Sequence, residues 1–249
     1  MGFQLWLLRK ICMKKYILIV VLALFLLWNF VIKVPVYRHI YGAPSEYVYN
    51  GHLLDIDIHH LAEPQEVQYA RLGGYEIEYI FKASFEGWAR AVYVDVYEDD
   101  FYIGLKTEQE LLDEFYDSVS PLDISLVIGE TAAEGNWQKI TFTHEYRLLR
   151  SKYYYKDNPI YKHNEVGNVH VLPANISVRR GIDTIKKGDV VYVKGWLLDW
   201  KGTEEFKDIE FKTAMSHGEI SKERYGGRIS GKCYYLYLTE LIVGEYIFK

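Results

Sequence analysis

Three residues in the C-terminal third have side chains that could do chemistry. His170 sits inside the apolar run VHVLP, and Asn168 lies two residues before it. On a strand these two share a face, because side chains alternate with period two. A His–Asn pair can orient a ligand or a nucleophile. Cys233 is a candidate nucleophile if a histidine, His170 or His217, stands beside it as its base. The plainer account makes Cys233 a buried structural thiol, since free cysteine behaves as a small hydrophobe, and His170 a hydrogen-bonded core residue. Asp55, Asp57 and His59 alternate within LDIDIHH, so an extended backbone puts two carboxylates and an imidazole on one face. That set can bind a divalent ion, but a polar strand face explains it more simply. Ser216-His217 lacks the G-x-S-x-G elbow of serine hydrolases. No phosphate-binding loop, dinucleotide fingerprint, HExxH or zinc-spaced CxxC occurs. The sequence therefore assigns no catalytic residue, metal or cofactor, and leaves Asn168, His170 and Cys233 as the candidate site.

The elements that must position these residues can be read from period and turn chemistry. Tyr75, Ile77, Tyr79 and Phe81 alternate with more polar neighbours, as do Tyr93, Asp95 and Tyr97 with Val92, Val94 and Val96. Both runs predict strands, with Phe85-Glu86-Gly87 as the turn or break between them. Thr107 and Glu110 make a capping box, and Leu111, Leu112, Phe115 and Val119 continue at helical spacing, so 108–117 is predicted as a helix. DISLVI at 123–128 reads as a buried strand, 140–144 as a half-buried one, and 169–172 as a short strand stopped by Pro173. Val178, Ile182 and Ile185 mark a helix face from about Ile176, closed by the Lys186-Lys187-Gly188-Asp189 turn. Strands follow at 190–199, with Gly195 as a bulge or bend, then at 210–214 and 233–242. Asn175-Ile176-Ser177 fits a glycosylation sequon, relevant only in a eukaryotic host.

The chain has 249 residues and a net charge of −5, distributed unevenly. Residues 1–38 carry +6 with no acidic side chain, and the remainder carries −11. An acidic domain with no basic stripe argues against nucleic acid. An aromatic content of 16% excludes a disordered chain. Residues 16–32 (YILIVVLALFLLWNFVI) contain no charge. As a helix they span about 25 Å, enough to cross a bilayer. The stretch exceeds a signal-peptide core and no A-x-A-like site follows it, so an uncleaved anchor is expected. Arg9, Lys10, Lys14 and Lys15 precede it, against Lys33 and Arg38 after it. The positive-inside rule then puts residues 1–15 in the cytoplasm and residues beyond the anchor outside. Met13 is an alternative start. Cys12 and Cys233 fall on opposite sides and cannot pair within one chain.

Several motifs come in a familiar order: Asp123–Gly129 (DISLVIG), Asn168–Ala174 (NVHVLPA), Lys186–Asp189 (KKGD), Gly195 with Leu197, and Cys233. The series resembles a family of bacterial single-span, membrane-anchored proteins across roughly residues 65–243. Residues 212–231 depart from that pattern, where a shorter loop is expected. The resemblance implies an extracytoplasmic domain and no particular activity. The expectation is an N-terminal transmembrane helix (16–32), a stalk (33–65) and a β-rich, mainly antiparallel α+β domain (66–249). A subdivision near residue 160 and a small C-terminal barrel are options within it. The expected role is binding or scaffolding for a protein partner or small ligand at the inner membrane. A hydrolase or thiol enzyme using His170 and Cys233, or a subunit of an envelope complex, are the alternatives.

Overall fold

The alternating runs form strands and the capped runs form helices, in a computed structural model of the chain. It describes residues 17–249 apart from 48, 52, 64, 73, 98–106, 146, 154–161, 163, 164, 204, 205, 214–223, 226, 227, 231 and 232. Ser216 and His217 therefore lie outside the described residues.

Helix α1 (17–27) runs through a π-helical turn, Trp28–Ile32, into α2 (Lys33–Tyr41). Among the described residues, no single helix is long and apolar enough to cross a membrane. Ile17, Leu22, Phe25 and Val31 are all more than half exposed, so this run buries no apolar stripe. α2 packs on α4 (Ile176–Ile182), where Ser177 Oγ donates to Tyr41 O at 2.7 Å. The segment expected as a stalk thus contains a docked helix. It also contains β1 (Ala43–Pro44) and β2 (Ile56–His60), both paired into the main sheet.

β3 (Gln68–Leu72) and β2 both pair with β4 (Tyr75–Val96). At 22 residues, β4 replaces the two strands and turn expected between 75 and 97. Gly87 is the reason for the misreading. A Cβ there would lie 2.2 Å from Asp55 O and 2.7 Å from Ile56 Cα. The glycine admits the β2 backbone and turns nothing.

α3 (Glu108–Val119) begins at the expected capping box. Thr107 N donates to Glu110 Oε2 at 2.6 Å, and Glu110 N to Thr107 Oγ1 at 3.3 Å. β5 (Leu122–Val127) follows, then the hairpin of β6 (Ile140–Glu145) and β7 (Leu148–Tyr153). β8 (Val166–Pro173), α4, β9 (Val190–Gly202), β10 (Glu210–Phe211), β11 (Arg224–Tyr225), β12 (Arg228–Ser230), β13 (Cys233–Val243) and β14 (Tyr246–Phe248) complete the order. α4 is capped by Asn175, whose side chain accepts Val178 N at 3.0 Å, so the sequon asparagine has a structural role. β11, β12, β7 and β6 make a separate four-stranded sheet.

In the main sheet, β4 pairs with β5, β5 with β8, β8 with β13, β13 with β9, and β9 with β4, so five strands pair in a ring. Only β8–β13 is parallel. Strands from both sides of residue 160 share this sheet. Register shifts on β4, between Phe81 and Ala83 and between Ala91 and Tyr93, are bulges that bend the long strand. A third lies on β13 opposite Gly195, at whose position a Cβ would meet Tyr237 O at 2.1 Å. Alternate residues of all five strands (Ala91, Ile124, Val171, Val193 and Leu236 among them) form the largest buried cluster, together with Val178 and Ile182 of α4. The opposite face is covered by α3 on one side and the β6–β7 hairpin on the other, each with its own apolar cluster. Polar residues fill the space between those two clusters.

Candidate functional site

The register of four adjacent strands lays out the site in two rows. Asp95 on β4, Asp123 on β5, His170 on β8 and Tyr235 on β13 are successive cross-strand partners. Tyr93, Ser125, Asn168 and Cys233 form the next row. Both rows lie on the face of β5 opposite Leu122 and Ile124, under α3 and the hairpin. Asp123, Ser125 and Asn168 are fully buried, and His170 is 3% exposed. Buried charge and buried amide must find partners or cost several kcal/mol, and the partners here define the chemistry.

His170 Nδ1 meets Asp123 Oδ1 at 2.6 Å. The same carboxylate accepts Tyr97 OH at Oδ2, 2.9 Å away. The imidazole stacks on Tyr235 with ring centroids 4.8 Å apart. Burial works against a charged imidazole. The hydrogen bond to Asp123, together with the influence of Cys233, more than offsets it and raises the His170 pKa to about 9. Cys233 is itself partly exposed. A partly exposed thiol stands one row from the imidazole on the neighbouring strand, and the imidazole rests on a fully buried carboxylate.

Arg147 organises the surroundings. Among the described residues it is the one non-glycine with positive φ, at 59°. Such backbone costs about 1–3 kcal/mol and persists only where its surroundings enforce it. The β6–β7 turn it occupies sends its guanidinium to an ion pair with Asp117 and a hydrogen bond to Ser120 O at 3.1 Å. It also comes within 3.6 Å of Asp123 Oδ1 and lies over the Tyr97 ring, 3.7 Å from its centroid. Burial raises the pKa values of Tyr97 and Tyr116, with Asp123 and Tyr235 respectively adding to the shift. Both phenols stay neutral, and Tyr97 donates to Asp123. The Arg147 carbonyl accepts Asn168 Nδ2 at 3.0 Å. Asn168 Nδ2 is also 3.9 Å from Cys233 Sγ, and its Oδ1 is buried without a partner.

A second histidine chain runs beside the first. Ser125 Oγ and His144 Nε2 are 2.8 Å apart, and His144 Nδ1 lies 3.6 Å from Asp95 Oδ2. Burial lowers the His144 pKa, against the pull of Asp123 and Asp95. A cleft of about 540 Å³, lined by Arg71, Pro173 and Arg179 among others, borders the cluster at Tyr97 and Asp117.

The structure places Asn168 beside Cys233 across the β8–β13 pairing, with His170 two residues further along β8. It leaves Asp55, Asp57 and His59 exposed at an edge strand, and among the described residues no group of three ligands could hold a metal ion. Asp123, Arg147, Ser125, His144 and Tyr97 were not picked out from the sequence. For Asp123 and Ser125 a signal existed: two polar residues at alternate positions inside the otherwise apolar LDISLV must be buried on one face, and so must be paired. Comparison with known proteins returns no matching family model, no matching curated protein and no matching solved structure.

Proposed function

We propose that this is a membrane-anchored, extracytoplasmic thiol enzyme of the acyl-transfer or hydrolase class, with Cys233 as nucleophile, His170 as its acid–base partner and Asp123 as the group that orients the imidazole. The observation that carries the reading is the 2.6 Å Asp123–His170 contact, with Cys233 beside Asn168 on the strand that pairs with β8. Nucleophile, base and orienting group are the three parts such catalysis needs. A carboxylate on Nδ1 sets the tautomer and presents Nε2 for the thiol proton. An imidazole with a pKa of about 9 already carries, at neutral pH, the proton it shares with the thiol, and delivers it later to the leaving group.

Two further parts of the reading concern scaffold and location. The five-stranded ring is read as a small Greek-key barrel, a class that includes oligonucleotide- and oligosaccharide-binding domains. In that class the second and third strands carry the ligand face. Here those strands are β5 and β8, which hold Asp123, Ser125, Asn168 and His170. The anchor is read from the uncharged run at 16–32, the exposed apolar residues of α1, and the basic flank before it. The motif resemblance supports the same location.

The test is thiol reactivity in the full chain carrying C12S, so that Cys233 is the sole cysteine. Iodoacetamide should alkylate Cys233 at pH 7 at least tenfold faster than it does in H170Q. Equal rates in the two proteins would sink the enzyme reading. They would leave the second reading, favoured by the cluster's position on the β5–β8 face, of a binding module that holds a small ligand or protein partner.

A further inference from the structure

Resting on that thiol-enzyme reading, we propose that Asn168 is the oxyanion donor of the site, its Nδ2–H group stabilising the tetrahedral intermediate formed when Cys233 attacks an acyl carbonyl. The orientation of the carboxamide is not arbitrary. The Arg147 carbonyl can only accept, so the atom 3.0 Å from it must be Nδ2. That nitrogen has a second hydrogen, and it lies 3.9 Å from Cys233 Sγ. An oxygen on a carbon bonded to Sγ sits about 3 Å from the sulfur, within hydrogen-bond reach of a donor so placed. The side chain is fully buried, pinned by Arg147 O on one hydrogen, and its neighbours β5 and β13 hold its strand on both sides. The donor is therefore rigid before substrate arrives, which is what makes such a group effective.

Asn168 Oδ1 is a second, independent pointer to a ligand. Among the described residues it is a buried acceptor with no donor, a state that costs about 1–3 kcal/mol. A substrate N–H next to the scissile carbonyl would satisfy it. The favoured substrates are therefore acyl compounds with an N–H beside the reacting carbonyl, such as amides and N-acylated amino acid derivatives.

The step balances without any other reagent. The proton shared by Cys233 and His170 rests on the imidazole as the Sγ–C bond forms and the carbonyl electron pair moves onto oxygen, facing Asn168. Collapse of that intermediate expels the leaving group, which takes the proton from His170. Water then attacks the thioester, the acid departs, and the thiol is restored.

Two electrophiles separate this role from a structural one. Iodoacetamide reacts by displacement at a saturated carbon and needs no oxyanion donor. 4-Nitrophenyl acetate acylates through a tetrahedral intermediate and does need one. In the C12S background, N168L keeps roughly the volume of the side chain and removes the N–H donor without adding charge, and N168A removes the group altogether. Both should alkylate at Cys233 within about threefold of the parent. Both should lose about 100- to 1,000-fold in the rate of Cys233 acylation, read as nitrophenolate release above the C233S background. Parallel loss of both rates would make Asn168 a structural residue, and unchanged acylation would show it donates nothing; either overturns the proposal. If H170Q and the parent alkylate equally, the enzyme reading fails first and takes this one with it.

Discussion

Two histidine chains lie side by side on one sheet face and are built from nearly the same parts. Each pairs an imidazole with a carboxylate at Nδ1: His170 with Asp123, with Cys233 on the neighbouring strand, and His144 with Asp95, with Ser125 at Nε2. They differ in which member is buried. In the first, the carboxylate is fully buried, 2.6 Å from the ring, and the thiol is partly exposed. In the second, the carboxylate is 35% exposed and 3.6 Å away, while the hydroxyl is fully buried. A buried carboxylate close by holds His170 charged, whereas burial with a distant, solvated carboxylate keeps His144 neutral. Composition alone does not set the charge of an imidazole; the burial and distance of its carboxylate do.

The largest effect expected follows from breaking each chain at its histidine. H170Q should slow alkylation of Cys233 by tenfold or more, and H144Q should leave it within about threefold. D123N comes next. It removes the leading group that raises His170, so an NMR titration of that ring should give a pKa well below 9, while D95N moves the His170 value little.

The two chains should also divide the pH dependence of stability. His170 has a native pKa near 9 against about 6.5 unfolded. Its contribution is therefore complete below about pH 6.5 and lost as pH rises towards 9. His144 has a native pKa below 6.5, so its contribution is present above that value and lost as pH falls through the depressed one. Denaturant titrations across pH should show H170Q flattening the alkaline limb and H144Q the acid limb; exchange of those roles would refute the assignment. The smallest effect is S125A. Leaving His144 Nε2 buried without its partner should cost about 1–3 kcal/mol of stability, with Cys233 reactivity untouched.

How much of this was legible beforehand depended on how local the cause was. The α3 capping box, the α4 face and the KKGD turn are each settled within a few residues, and each stands where period and capping put it. Gly87 misled because its role, admitting Asp55 and Ile56, lies some thirty residues back along the chain. Asn168 and His170 were visible as polar residues at alternate positions in an apolar strand. The same argument applied to Asp123 and Ser125 and would have found one further member of each chain. Arg147 could not be found that way. Its value comes from a left-handed turn that points it at Asp117 and Ser120, and nothing in the string YRLL announces this.

The parallel pairing of β8 with β13 has a consequence for the order of events during folding. Thiol and imidazole stand 63 residues apart in the chain, and they meet only when the last long strand inserts between β8 and β9. Contacts between such distant segments form late, because the loop joining them must first be closed. A chain still being synthesised has the histidine and its aspartate before Cys233 is paired beside them. Reactivity at Cys233 thus reports completed closure of the ring, and its appearance during refolding would time that step directly.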